Sequence, residues 1–573
     1  MEYNGTVVSK GIAIGKAFVY SPYVPQISQE IIENKDKEAE RARYRLAHKK
    51  AANELDKLLQ HLSNSNPEQV KIFKAHLDIL DDESMTDEIL DAIDQNMNAA
   101  KAVDLIYTQY AEIISSAKNA LLAERAADMR DVGLRLLRCL EGKPETNLAS
   151  LNQPVVLVTH DLLPSDSALL DASIVQGIVT EVGGTTSHSA IIARSYGIPA
   201  LTGVENICQT VQQDEYVIVD GIEGRFLTDA DSLQINQYHE EQARFARRQR
   251  DDLRYLNVEP CTTEGTRIRV LVNIGSADER EFECAPYVDG VGLFRTEFLY
   301  MGRKELPSEE EQYQFYKKVF EAFSPNPVTL RTLDIGGDKK APCLNLPQEE
   351  NPFLGNRALR LCFDRNEIFT TQLRAVLRAS VHGNLKLMFP MVSSIEDIRK
   401  AKDILKSVQL QLDEQNIPWN RSMQVGTMIE IPALAVIADL LADEVDFASI
   451  GTNDLTQYTL ATDRINPSVS EYYQPFNPAL IRLLKYTIQE FNKAGKQISV
   501  CGEMGGDPIA ATALLGMGIL SLSMGKSSIP EIKKLICTLN ICKAKQSVNQ
   551  LCSCRTAAEI RNNLSAIDAL DYH

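Results

Sequence analysis

The sequence predicts a multidomain α/β protein, in which an α/β unit carrying an inserted helical bundle is followed by a (β/α)8 (TIM) barrel. Three observations predict it. Between Gly15 and Gly133 there is no glycine, and Pro67 is the only proline in that stretch after Pro25, so it reads as helical. Short runs rich in Val and Ile flank it, at 7–20, 154–159, 174–182 and 216–220. From residue 260 onward about eight strand-like runs alternate with helical patterns, the rhythm of a parallel barrel.

The elements follow in order. Residues 7–20 are short, glycine-punctuated and β-like. They join the later α/β runs, so the α/β unit comprises 1–25 and 143–230 and the helical insert 26–142. Within the insert, Ala51, Leu55, Leu58 and Leu62 share one helical face. So do Val70, Phe73, Leu77 and Leu80, and Val103, Tyr107, Tyr110 and Ile114. Asn66-Pro67-Glu68-Gln69 has the form of an N-cap, a proline at the first helical position and a capping glutamine. A helix is expected from about His188 to Tyr196. The polar stretch 231–259 predicts a linker helix, and 260–573 the barrel. Its candidate strands are 268–273, 288–294, 328–334, 385–391, 424–430, 447–450, 498–501 and 519–524. Arg295, Arg331, Glu430, Asn453, Asp454 and Cys501 fall at or just beyond the C-terminal ends of those strands, where barrels build their active sites.

Length, composition and charge narrow the function. At 573 residues, two to four domains are expected. Sixty Lys and Arg against 78 Asp and Glu leave a net charge of −18, which disfavours nucleic acid and anionic membranes as partners. An anionic substrate must then be met by a local cluster of arginines. No basic and apolar leader opens the chain and no run of about 18 apolar residues occurs, so a cytoplasmic protein without membrane insertion is expected. The 11 scattered cysteines read as reduced thiols. Cys537, Cys542, Cys552 and Cys554 cluster near the tail, but their spacing fits no zinc pattern.

Two constellations carry chemistry. The string GGTTSHSAIIAR at 183–194 follows a strand and opens a helix. Its paired glycines allow a tight turn with outward N–H groups, and a helix N-terminus favours an anion where a phosphate on His188 would sit. Thr186 and Ser187 supply hydroxyl donors, and a neutral imidazole is an adequate nucleophile toward phosphorus at pH 7. A glycine turn with an incidental surface histidine is the bland alternative. In the barrel, Arg295 (in GVGLFRTEFLY, 290–300) and Arg331 (in TLRTLDIGGDK, 329–339) each end a strand, and two guanidinium forks suit a phosphate dianion. Glu430 (in MIEIP, 428–432) and Asp454 (in IGTNDLTQY, 450–458) are hard carboxylates on neighbouring strands, a pair that suits Mg2+.

These strings, from GIAIG at 11–15 to GMG at 516–518, resemble the Enzyme I family of the bacterial phosphotransferase system, one branch of the phosphoenolpyruvate-utilising enzymes. The resemblance implies a swivelling phosphohistidine domain, with phosphate passing from phosphoenolpyruvate to His188 and on to the phosphocarrier HPr. It implies that Arg295 and Arg331 grip the phosphate, Glu430 and Asp454 bind Mg2+, and Asn453, Asp454 and Arg464 hold the substrate. Arg357, in NPFLGNR at 351–357, matches a further active-site arginine, and Cys501, in SVCGEMG at 499–505, the proton donor to enolpyruvate. DLLPSDS at 161–167 resembles the segment whose last hydroxyl, Ser167, supports the histidine together with Gly184, Thr186 and Ser187. Thr185 stands where the family commonly has arginine, and Asn356 where an aromatic is expected. The helical insert, with an acidic run from Asp78 to Asp94, would dock HPr, and a homodimer through the barrel is implied. Pyruvate phosphate dikinase and phosphoenolpyruvate synthase share the motifs, but they resemble longer chains with a nucleotide-binding domain. The alternatives left open are a regulatory paralogue phosphorylating a different HPr-like carrier and a binding-only regulator.

Overall fold

The computed structural model describes residues 1–573 except 21–24, 26, 29–30, 63–66, 117–119, 144–147, 149–150, 152, 163–169, 172, 184–189, 191–192, 195, 302, 304, 338, 340, 348 and 569–573. The described chain divides into two compact units, Met1–Ala246 and Arg247–His573.

The first unit holds a mixed sheet of eight strands: β1 (Glu2–Asn4), β2 (Thr6–Ser9), β3 (Ile12–Tyr20), β4 (Val155–Thr159), β5 (Val175–Thr180), β6 (Ala200–Thr202), β7 (Tyr216–Asp220) and β8 (Arg225–Leu227). Their order is β1-β8-β7-β3-β4-β5-β6-β2. β3 and β4 are parallel neighbours, Lys16 opposite Val155 and Tyr20 opposite Thr159, although some 130 residues separate them. Parallel neighbours need a long crossover, and the whole helical bundle is that crossover. β4, β5 and β6 continue in parallel, so their C-terminal ends lie along one edge of the sheet. Val156, Val158, Val179, Val219 and Phe226 fill one face with no solvent exposure.

The bundle consists of α1 (Lys37–Leu62), α2 (Pro67–Leu80), α3 (Glu83–Asp94), α4 (Ala99–Ser116) and α5 (Ala120–Leu140). Its core contains Ala51, Leu55, Phe73, Leu80, Val103 and Tyr107, taken from the three stripes read in the sequence. Leu58 and Leu62 of the first stripe, Val70 of the second and Ile114 of the third lie outside the described side chains. Part of the acidic run has a local role: Asp82 caps α3, its carboxylate accepting the Met85 N–H at 3.0 Å.

The second unit is a closed barrel of eight parallel strands: β9 (Arg269–Ile274), β10 (Val291–Arg295), β11 (Pro327–Arg331), β12 (Asn384–Phe389), β13 (Gln424–Ile429), β14 (Phe447–Ile450), β15 (Gln497–Val500) and β16 (Ser521–Met524). β16 closes on β9, with Ser521 opposite Arg269. All eight runs expected from the sequence are strands; the ends differ by up to three residues. β11 stops at Arg331 rather than at residue 334, because the chain turns there to bring Asp334 into the barrel mouth. The helix Ser232–Leu253 occupies the predicted linker stretch.

Candidate active site

The strand ends gather a buried ionic cluster at the C-terminal mouth of the barrel. Arg331 ends β11, and its Nη2 donates to Glu297 Oε1 at 2.6 Å and lies 3.0 Å from Asp334 Oδ2. Arg357, fully buried, grips Asp334 with two parallel hydrogen bonds, Nε to Oδ1 at 2.9 Å and Nη2 to Oδ2 at 3.1 Å. Its Nη1 donates to Asp454 Oδ1 at 3.1 Å and to the Tyr458 hydroxyl at 3.2 Å. Lys339 Nζ bridges Glu297 at 2.8 Å and Asp334 at 3.0 Å. Arg464 Nη1 lies 3.6 Å from Asp454 Oδ2. Gly336, at φ +119°, makes room for this arrangement: a Cβ there would come within 2.8 Å of the Arg357 side chain.

Electrostatics separate the four carboxylates. Burial alone would raise Asp334, Glu297 and Asp454. Arg331 and Arg357 outweigh it and hold Asp334 well below the usual range; Arg331 and Lys339 lower Glu297, and Arg357 and Arg464 lower Asp454. Glu430, just past β13, goes the other way. Burial, then the charges of Asp454 and Asp334, push it up to about 7, against the pull of Arg331 and Arg357. Its Oε1 accepts the Met391 N–H at 2.6 Å, while its Oε2 is buried without a partner.

An orphaned carboxylate oxygen beside other carboxylates that repel it is the condition a divalent cation relieves. The donor set of Glu430 and Asp454 therefore suits a divalent cation. Among the described residues no cluster of three or more His, Cys, Asp or Glu side chains is arranged to hold a metal, so a cation here would take its remaining ligands from substrate and water.

The other expected residues sit at the same mouth. Arg295 ends β10, half-buried, with no hydrogen bond or ion pair from its side chain to any described residue. Arg331 keeps its Nε unpartnered, and its Nη1 meets only Met428 Sδ at 3.6 Å. Arg295 is thus a half-buried guanidinium without a partner among the described residues, and Arg331 carries unpaired donors that are themselves buried. Asn453 accepts the Glu503 N–H at 2.9 Å through Oδ1. Cys501 follows β15, buried, its thiol donating to the Ile450 carbonyl at 3.5 Å and its own carbonyl accepting from Asn273 at 2.9 Å. Burial raises the thiol to about 11, although Ser449 and Arg331 pull it down, so it is protonated at neutral pH. Gly502 is required beside it, because a Cβ would collide with Thr452 Oγ1. Asn356, in place of an aromatic, bonds Asp364 at 3.3 Å and leaves the Arg357 contacts intact.

Sequence reading missed Glu297, Asp334, Lys339 and Tyr458. The first three lie inside the arginine motifs already singled out, and the signal was there: a buried arginine needs a carboxylate. His188, Ser167, Gly184, Thr185, Thr186 and Ser187 lie outside the described residues. The segment that carries His188 is rooted where Gly183 accepts from the Thr202 hydroxyl at 2.9 Å, just past β5. In the bundle, a cleft of about 460 Å³ is lined by Tyr44, Arg45, His48, Asp81, Glu83, Thr86 and Asp87.

A parallel barrel that gathers arginines and buried carboxylates at its C-terminal mouth defines a class of barrel enzymes with a charged site at the strand ends. Family models place the chain within that class. The PEP-binding domain of PEP-utilising enzymes matches 249–541, their N-terminal domain 4–125 and their mobile domain 151–224. The phosphoenolpyruvate-protein phosphotransferase of Priestia megaterium is 42% identical over 98% of both chains. Those of Geobacillus stearothermophilus (43%, 93% of both chains) and Staphylococcus carnosus strain TM300 (41%, 98% of both chains) are similarly alike. The chain belongs to the PEP-utilising enzyme family, in its phosphoenolpyruvate-protein phosphotransferase branch. No described helix is long and apolar enough to cross a membrane.

Proposed function

We propose that the chain transfers the phosphoryl group of phosphoenolpyruvate to its own His188 and then to the phosphocarrier HPr. The observation that carries this reading is the barrel mouth, where Arg295 and Arg331 carry unpaired guanidinium donors at strand ends that also bring in Glu430 and Asp454. The two arginines bind the phosphate and take up charge as the phosphoryl group departs. Asn453, Arg357 and Arg464 orient the substrate around Asp454. Glu430 and Asp454 would hold Mg2+, which when bound neutralises the transferring phosphoryl oxygens. The Cys501 thiol, protonated at neutral pH, gives its proton to the methylene carbon of the enolate and so releases pyruvate.

His188 must visit the barrel mouth and then a partner, with the stretch around Ser232–Leu253 as the connecting element. Ser167, Gly184, Thr186 and Ser187 support the phosphorylated imidazole. HPr docks on the helical insert, whose acidic cleft at Asp81, Glu83 and Asp87 complements a basic partner. The chain works as a cytoplasmic homodimer through the barrel.

Purified protein with Mg2+ and radiolabelled phosphoenolpyruvate tests the reading. Acid-labile, base-stable label on the wild type, absent from His188→Ala and passing to added HPr, is expected. Label that HPr cannot remove would redirect the second step to another carrier. No label would overturn the enzymatic reading.

A further inference from the structure

Residues 248–264 run along the last helices of the barrel unit in a continuous seam. Arg248 pairs with Glu531 at 3.4 Å and Asp252 with Lys534 at 2.6 Å, and Lys533 Nζ donates to the Leu256 carbonyl at 2.6 Å. Further on, Cys537 Sγ lies 3.9 Å from the Glu259 carbonyl, Thr263 N–H donates to the Leu539 carbonyl at 3.2 Å, and Ile541 N–H donates to Glu264 at 3.1 Å. Both segments advance in the same direction. Cys261 falls between Glu259 and Thr263, so the register sets it against Cys537. The Cys261 backbone N–H reaches the Cys537 sulfur, and the two thiols are close enough to interact electrostatically. Both are free and half-buried. Cys284, Cys362 and Cys501, by contrast, are buried away from oxidants.

We propose that Cys261 and Cys537 form an oxidisable dithiol, a modification site outside the catalytic centre that a peroxide closes to a disulfide. One thiolate attacks the peroxide O–O bond, giving a sulfenic acid and hydroxide, which takes up a proton to become water. The second thiol displaces the sulfenic hydroxyl as a second water, and the S–S bond forms. Two thiols are oxidised by two electrons, and one peroxide is reduced. Burial raises the Cys537 thiol, with the Cys261 amide lowering it, and the disulfide is the same whichever thiol attacks first. The bond would tie the segment entering the barrel to the helix that follows its last strand, closing a loop over nearly the whole unit.

The test treats the full-length protein with hydrogen peroxide, alkylates remaining thiols and maps peptides without reduction. A cross-linked peptide pair joining Cys261 to Cys537, two hydrogens lighter than the reduced pair, is expected. It should vanish in Cys261→Ser and in Cys537→Ser, and the thermal midpoint of the oxidised wild type should exceed that of the reduced form by about 5 °C. Separate oxidation of the two cysteines to sulfinic acids would overturn the pairing. So would a bond from either one to the exposed Cys542, or full alkylation of both after peroxide.

Discussion

In the sheet of the first unit the buried side chains include Val156, Val158, Val179, Val219 and Phe226, and the buried carboxylate Asp220 caps the turn from β7 to β8. At the barrel mouth Arg331, Arg357, Glu297, Asp334 and Glu430 are buried together. The sheet core is stabilised by removal of apolar surface from water, which needs no particular partner. The ionic cluster holds only as a set, because each charge was taken out of water and is compensated by its neighbours. The sheet is therefore built for tolerance and the mouth for position. Unpaired donors on Arg295 and Arg331 and the orphaned oxygen of Glu430 are what the cluster leaves unanswered.

The sharpest way to break this comparison is Arg357→Met. Removing that guanidinium leaves Asp334 without its bidentate partner and Asp454 short of one donor. A loss of about 3–5 kcal/mol in urea unfolding is expected, together with loss of phosphoenolpyruvate-dependent labelling. A variant as stable as the wild type would show that the cluster does not act as a set.

Leu157→Ala, fully buried in the sheet, should cost about 3 kcal/mol through transfer and cavity terms. The molecules that remain folded should label at the wild-type rate. A matching loss of activity would mean that the sheet core also sets the geometry of transfer.

Glu430 sharpens the comparison through pH. Its folded pKa of about 7 lies above the ordinary carboxylate value, so the folded state binds its proton more tightly than the unfolded chain. The associated stability is present in full below the unfolded value and is lost as pH rises through about 7. Thermal scans in EDTA should therefore show the midpoint falling between pH 5 and 8. Millimolar Mg2+ should remove most of that fall. Equal slopes with and without the cation would place it elsewhere.

The smallest effect belongs to the exposed pair of Arg399 and Glu444 at 2.5 Å. Arg399→Ala should leave the thermal midpoint unchanged within error, since solvent screens such a pair. A clear shift would mean that surface charge matters to this barrel more than the buried cluster suggests.

Much of this was legible in the chain itself. The eight barrel strands could be read because each parallel strand, covered on both faces, is a short apolar run between helical patterns. Arg295, Arg331, Glu430, Asp454 and Cys501 could be placed at one mouth because strand ends in a parallel barrel all point the same way. The three-residue strands β1, β6 and β8 could not be read, being too short to show a period. Nor could the pairing of β3 with β4 across the bundle, which local pattern does not encode.

By itself, then, the sequence determined the order of the elements, the glycine-free insert and the residue types that reach the barrel mouth, because periodicity and strand polarity are local properties. Only the tertiary structure decided which charge answers which: Asp334 for Arg357 across 23 residues, Asp454 for Arg357 across 97, and Cys261 set against Cys537. It also decided that the Cys501 thiol keeps its proton and that Glu430 titrates near neutrality. Those outcomes depend on burial and on the summed field of groups distant in the chain, which no local pattern contains.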